Sequence, residues 1–160
     1  MPDLMGHLLI GLIIAELFSV KKKSLVLLGA IMPDILSKMY IPFFYLGLPP
    51  FISFDILHTP AMGFLISILI APLFRYERIK TLILVNAGLA SHFIFDLTMK
   101  HFTAGQYLLF PFSMKFYTLN WIWPEQSTYI LAASLLAYIS IILFKKIGFE
   151  KDGVGGTFKS

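Results

Sequence analysis

His92 and Asp96 stand four residues apart in the stretch Ile79 to Met99, Ile-Lys-Thr-Leu-Ile-Leu-Val-Asn-Ala-Gly-Leu-Ala-Ser-His-Phe-Ile-Phe-Asp-Leu-Thr-Met. On a helix this spacing stacks an imidazole and a carboxylate on one face, about one turn apart, where both can reach a single metal ion. Such pairs also occur by chance, and the bland reading is a hydrogen-bonded pair that locks two helices. The setting favours function: an ionisable side chain at the centre of a spanning helix costs roughly 2.5–3.5 kcal/mol and is rare there without a partner or a task. Three further candidates interrupt or border apolar runs: His7, Asp34 directly after Pro33, and His58 before Thr59-Pro60. The chain has no cysteine, so disulfides, thiolate zinc sites and cysteine nucleophiles are excluded. A metal here must sit on nitrogen and oxygen.

The elements that must hold these residues follow from composition. Of 160 residues, 58% are hydrophobic and 14% charged, and the mean hydropathy is +0.80. That is too apolar for an ordinary soluble domain and too short for more than one compact unit. The expected class is an all-α integral membrane protein, a compact bundle of about four to five transmembrane helices with aromatic interfacial segments. Residues 1–147 form the single helical domain and residues 148–160 a flexible C-terminal tail. The net charge of +4 is carried by short cationic clusters between apolar runs, the pattern of topology signals, so no nucleic-acid partner is expected. No basic residue precedes the first apolar run and Lys21-Lys22-Lys23 follow it, which is unlike a cleaved signal peptide; the first helix is expected to be retained.

Along the chain, Leu4 to Val20 is an apolar run near the lower limit for a span, interrupted by His7 and Glu16. Ser24 to Ser37 is the second, and Pro33 predicts a kink or an end near Met32, with Asp34 at a helix terminus. Lys38 to Leu57, broken by Pro42, Pro49 and Pro50, reads as an interfacial or re-entrant segment. Thr59 is a predicted N-cap with Pro60 in the first turn of a helix to Phe74. Lys100 to Gln126 carries Tyr107, Phe110, Phe112, Trp121 and Trp123, as expected at headgroup level. Ser127 to Phe144 is the last apolar run.

Placing the Lys21–Lys23 turn, the Arg75–Lys80 turn and the region after Lys145 on one side gathers ten of the thirteen cations there and leaves Lys38, Lys100 and Lys115 opposite. The positive-inside rule then predicts the N-terminus outside and the C-terminus cytoplasmic, in a cell or inner membrane. At about 1.5 Å per residue, His7 stands roughly 20 Å from Lys21, Asp34 roughly 16 Å from Lys23, His58 roughly 25 Å from Arg75, and His92 and Asp96 roughly 18 and 24 Å from Lys80. Five potential ligands from four segments thus share one slab between the bilayer centre and the outer interface. Three imidazoles and two carboxylates suit a divalent ion, zinc first with manganese or iron as alternatives, because two negative charges balance it.

These residues resemble the YdjM-like membrane-bound metal-dependent hydrolases, a family sometimes described as LexA-binding. The resemblance runs through Gly6-His7, Gly29-Ala30-Ile31-Met32-Pro33-Asp34, Leu57-His58-Thr59, Ser91-His92-Phe93-Ile94-Phe95-Asp96 and Leu109-Phe110-Pro111-Phe112-Ser113. It is similar, more distantly, to zinc-dependent phospholipase C proteins. Two departures stand out: Phe54-Asp55-Ile56 precedes His58 where the family has His-Arg, and Leu36 occupies the place of a second acid. The resemblance therefore carries over neither a second metal nor an arginine contact to substrate.

The function expected is metal-dependent hydrolysis at the outer membrane face, on a phospholipid or another amphiphilic (phospho)ester, with membrane lipids as partners. His7, Asp34, His58, His92 and Asp96 would be the metal ligands, with Asp34 or Asp96 able to act instead as general base. Lys38, Lys100 and Lys115 are candidate phosphate contacts, although headgroup attraction is the simpler account. Asp3 could orient His7, Asp55 could act as a base, Glu16 should reach toward Lys21–Lys23, and His101 reads as a surface residue. The alternatives are a metal-ion or proton carrier and a non-catalytic scaffold stapled by metal. A carrier needs a polar path to the other face, for which the sequence offers only Glu16 and Asn86.

Overall fold

In a computed structural model that describes residues 4–47, 54–100 and 105–154, the chain is all-helical, with no strand among the described residues. The elements are α1 (Leu4–Leu17), α2 (Lys23–Ser37), α3 (Tyr40–Tyr45), α4 (Phe54–Leu57), α5 (Pro60–Ile70), α6 (Arg78–Thr98) and α7 (Ser127–Val154), with 3₁₀ turns at Ala71–Leu73 and Pro124–Gln126. Three helical stretches are long and apolar enough to cross a membrane: Lys23–Tyr45, Arg78–Thr98 and Ser127–Ile147. Leu4–Leu17 and Pro60–Leu73 are apolar but shorter.

The closest approach in the bundle is between α2 and α6, and two glycines create it. A Cβ on Gly29 would lie 1.9 Å from the Val85 carbonyl oxygen, and one on Gly88 would lie 1.9 Å from that of Val26. Only hydrogen fits at either position, so the two backbones meet directly, the arrangement small residues permit where apolar side chains gain nothing by leaving lipid. Val26 faces Gly88 and the Ala30 carbonyl meets His92, so the contacts advance together along both helices, which run parallel. α1 runs antiparallel to α2, with Gly11 against Ala30 and Glu16 against Lys23. α5 runs antiparallel to α6, with Gly63 against Leu89 and Ser67 hydrogen-bonded to Asn86. Met32, Leu89 and Phe93 form the core between them, with Leu36, Ile66 and Ile70 packed around.

α7 lies along α1, and none of its apolar window is buried. Tyr129, Leu136 and Phe144 are exposed. A helix apolar on every face and little buried by protein is compatible with a membrane setting. Beside a partly buried stripe that includes Ile130, Leu131, Tyr138 and Ile141, a polar tie holds α7: Lys145 Nζ contacts the Glu16 carboxylate, the Glu16 carbonyl oxygen and Ser19 Oγ. Glu16 also pairs with Lys23, so its buried charge meets two cations, as the sequence predicts for Lys23 and does not for Lys145.

Several sequence expectations are met in detail and others are not. Thr59 Oγ1 accepts from the Met62 amide at 3.3 Å and donates to the Ile56 carbonyl at 2.8 Å, while Pro60 opens α5. The end predicted near Met32 does not occur: α2 continues through Pro33 to Ser37, and Asp34 lies inside it. Pro33 removes one amide donor, but its buried packing and the closeness of α6 hold the helix together. The segment after Lys38 is helical at α3, continuing the α2 stretch. Residues 49, 50, Asp3 and His101 lie outside the described residues, as does the tail beyond Val154; α7 itself extends to that residue.

Candidate metal centre

The five candidate ligands meet at the end of the bundle opposite the lysine turns. α1 brings His7, α2 brings Asp34, the α4–α5 junction brings His58, and α6 brings His92 and Asp96. Each position has a local cause. The Gly29/Gly88 crossing sets Ala30 beside His92, the Thr59 cap fixes the residue after His58, and the antiparallel path of α1 returns His7 to the C-terminal part of α6. The end of α6 is held in turn: the Leu97 carbonyl accepts from the Leu119 amide at 2.8 Å, and that of Thr98 accepts from the Trp121 and Ile122 amides at 2.9 and 3.1 Å. These bonds satisfy helix-end carbonyls one and two residues beyond Asp96.

His92 is the hub. Its ring is fully buried, and Nδ1 lies 2.7 Å from the Ala30 carbonyl oxygen. A carbonyl only accepts, so Nδ1 carries a proton and donates it, and in the neutral ring Nε2 presents a lone pair. That Nε2 is 2.9 Å from His58 Nε2 and 3.3 Å from Asp96 Oδ2. Asp96 Oδ2 is also 3.3 Å from His58 Nε2, and Asp96 Oδ1 is 3.0 Å from His7 Nε2. His58 Nε2 lies 3.6 Å from Asp34 Oδ1. The His7 ring stacks on that of His92 at 3.9 Å between centroids, with Phe95 edge-on to His7 and Phe93 edge-on to His92 and His58.

The proton count calls for positive charge within the cluster. With Nδ1 of His92 protonated, the approach of its Nε2 to Asp96 Oδ2 sets one lone pair against another unless positive charge lies between them. Nδ1 of His7 is buried without a hydrogen-bond partner, and a buried ring nitrogen without one calls for an explanation. Two buried carboxylates, Asp34 and Asp96, add negative charge at 2% and 4% exposure. The donors form two overlapping groups, His7/His92/Asp96 and Asp34/His58/His92, with ligand atoms in each within 4.8 Å of one another. Ligand atoms about 2.0–2.2 Å from one small ion stand roughly 2.9–3.6 Å apart at ordinary coordination angles. The five distances fall in that interval. The residues present therefore fit a divalent ion in number, chemistry and spacing.

One side of the cluster is less enclosed. The His58 side chain is 12% exposed, and Lys38, one turn after Asp34, places Nζ 3.6 Å from Asp34 Oδ2 with 38% of its side chain exposed. Of the three cations singled out as phosphate contacts, Lys38 thus touches a site residue. Lys100 Nζ instead sits over the Trp123 ring at 3.3 Å, and Lys115 Nζ is 5.8 Å from the Tyr117 ring. Asp55 is exposed, and its contribution to His58 is a backbone bond from the His58 amide to its carbonyl at 3.1 Å. The Ala30 carbonyl, which orients His92, has no side-chain signature in sequence. The paired Gly29 and Gly88 were the available sign that two apolar helices touch there.

Comparison of the chain with known protein families, characterised proteins and solved structures gives no match, so the site's own geometry carries the functional argument.

Proposed function

We propose that the protein is an integral membrane hydrolase that uses one divalent metal ion, bound by His7, His58, His92 and Asp96 with Asp34 at its edge, to cleave a phospholipid or similar amphiphilic ester. The observation that carries this reading is the convergence of three imidazoles and two carboxylates, nearly all buried, at the mutual spacing of ligands about one ion. In this reading Leu4–Leu17 and Pro60–Leu73 cross the membrane beside the three long apolar stretches, making five passes with the N-terminus outside and the C-terminus cytoplasmic; the length and composition of the three long stretches support it. The exposed Phe112, Trp121 and Trp123 then lie at the outer interface, Trp121 with its amide bonded to the Thr98 carbonyl at the end of α6. The family resemblance, the outer-face location and the lipid substrate belong to this proposal.

A bound divalent ion would supply Lewis acidity, bringing the pKa of a water toward 7 and polarising the ester oxygen. The protein's own part is division of labour between carboxylates. Asp96 has an imidazole nitrogen near each oxygen and is the better ligand. Asp34 is engaged more loosely, its Oδ2 with no hydrogen bond and a lysine 3.6 Å away, and is placed to take a proton from water. Lys38 stands on the open side, where it can hold a phosphate or carboxylate oxygen of the substrate. The Ala30 carbonyl keeps the His92 tautomer that presents Nε2.

A carrier would need a path from this site to the lysine-rich end. Of the polar groups the sequence offers for it, Asn86 Nδ2 is already bonded to Ser67 and to the Leu82 carbonyl, Glu16 is paired with Lys23 and Lys145, and the α2–α6 backbones meet directly at Gly29 and Gly88. That packing favours an enzyme over a conduit.

The test is metal analysis of detergent-purified protein beside His92→Ala and Asp96→Ala, each checked for a monodisperse folded state. About one divalent ion per chain, lost in both variants, is expected, followed by metal-dependent release of headgroup from defined phospholipids. Wild-type protein that is empty and rejects added zinc, manganese and iron overturns the proposal. Metal bound without hydrolysis of any phospholipid or carboxylic ester leaves the metal-stapled scaffold in its place.

A further inference from the structure

The other end of the bundle holds a second concavity. Val20, Lys21 and Lys22, which lead into α2, and Tyr76, Lys80, Ile83 and Leu84, from the start of α6 and the turn before it, line a cleft of about 190 Å³. Lys21, Lys22 and Lys80 are exposed at its rim, and Val20, Ile83 and Leu84 supply an apolar wall. Lys80 pairs with the exposed Glu77 at 2.7 Å, whereas Lys21 and Lys22 have no ion-pair partner among the described residues. Both parallel helices begin at this cleft, and no side chain caps the first turn of either. Their amide donors and positive dipole ends add to the lysine charge.

We propose that this cleft binds one anionic phospholipid, its phosphate held by Lys21, Lys22 and Lys80 at the starts of α2 and α6, and an acyl chain laid along Ile83 and Leu84. Charge and polarity decide between occupants. A free phosphate has no use for an apolar wall, and a neutral lipid has no use for three lysines. The lysine head and the hydrocarbon face also lie in the order that a lipid at the membrane surface presents them. Each juxtamembrane lysine contributes about 1 kcal/mol to anionic-lipid binding. At about 1.4 kcal/mol per tenfold, losing Lys21 and Lys22 together should weaken binding roughly 20- to 30-fold. The cleft is about 24 Å along α6 from Asp96 at 1.5 Å per residue, so it is separate from the metal centre.

The experiment is native mass spectrometry of the full chain released from bilayer discs containing equal phosphatidylglycerol and phosphatidylcholine. One retained phosphatidylglycerol per chain is expected. It should fall by the stated factor in Lys21→Gln/Lys22→Gln and disappear in Ile83→Trp, which fills the cleft and keeps every charge. Lys115→Gln should retain it. Equal retention of the two lipids, or an undiminished lipid in Ile83→Trp, overturns the proposal in favour of diffuse surface charge. Displacement by millimolar glycerol 1-phosphate overturns it in favour of a soluble phosphate ligand. His92→Ala should leave retention unchanged, so failure here and failure of the metal centre are read separately.

Discussion

Replacing Gly88 by alanine should disable the proposed metal centre without touching a proposed ligand. The new Cβ would stand 1.9 Å from the Val26 carbonyl oxygen and 2.8 Å from the Ala30 amide nitrogen. Real contacts of this kind are not closer than 3.0 Å, so α2 and α6 must part by about an ångström. Overpacking of this sort typically costs about 1–3 kcal/mol. The gain from replacing a mid-helix glycine is about 1 kcal/mol, so the clash wins. The same movement stretches the bond from His92 Nδ1 to the Ala30 carbonyl from 2.7 Å beyond hydrogen-bonding range. Loss of the bond that orients a metal-ligating histidine commonly lowers metal affinity by about 10–100-fold. The assay is competition against a zinc chelator of known affinity, with size-exclusion chromatography confirming a folded bundle. Wild-type zinc affinity in a folded Gly88→Ala protein would refute the link between helix crossing and site geometry. A surface change of the same kind, Ala90→Ser on the exposed side of α6, should leave affinity unaltered.

Other perturbations separate the roles of individual residues. Thr59→Ala removes the α5 cap, which should lower stability by about 1 kcal/mol and weaken metal binding modestly through His58, read by thermal unfolding and by the same competition. Lys38→Ala should leave metal content at the wild-type level and raise KM for an anionic substrate, whereas Asp34→Asn should lower kcat more than metal affinity; the reverse pattern would make Asp34 a principal ligand. Lys145→Ala leaves Glu16 paired with Lys23, so the loss in stability should be below about 1 kcal/mol, while amide exchange rises in α7 and not in α6. Because the chain has no cysteine, single replacements Lys115→Cys and Lys146→Cys report topology directly. An impermeant maleimide added to intact cells should label the first and not the second.

The elements that anchor the site were legible because they rest on local chemistry. The Thr59-Pro60 cap appears where a hydroxyl before proline predicts it. α6 spans Arg78–Thr98 because a mainly apolar stretch of this length satisfies its backbone amides within one helix, with His92 and Asp96 as its polar interruptions near the C-terminal end. Of the kink or end expected at Pro33, the end is overturned for a physical reason. A proline weakens a helix locally, but here α6 packs against α2 backbone to backbone, and that contact outweighs one missing amide bond. The Lys145 to Glu16 tie was illegible because it joins residues 129 apart through a docking that no periodicity encodes.

The same division holds at the centre. The sequence by itself determined that His7, Asp34, His58, His92 and Asp96 lie at similar heights, since height follows from residue count along helices between charged turns. It also determined that their donors are nitrogen and oxygen. Only the tertiary structure decided that the five converge, because azimuth around each helix axis depends on how the helices cross. It is the contact of bare backbone at Gly29 and Gly88 that sets the azimuth for α2 and α6. From that contact follow the Ala30 bond that fixes the His92 tautomer and the closeness of Asp34 to the α6 pair. Heights are additive along a chain and can be counted, whereas azimuths are fixed by pairwise packing and had to be seen.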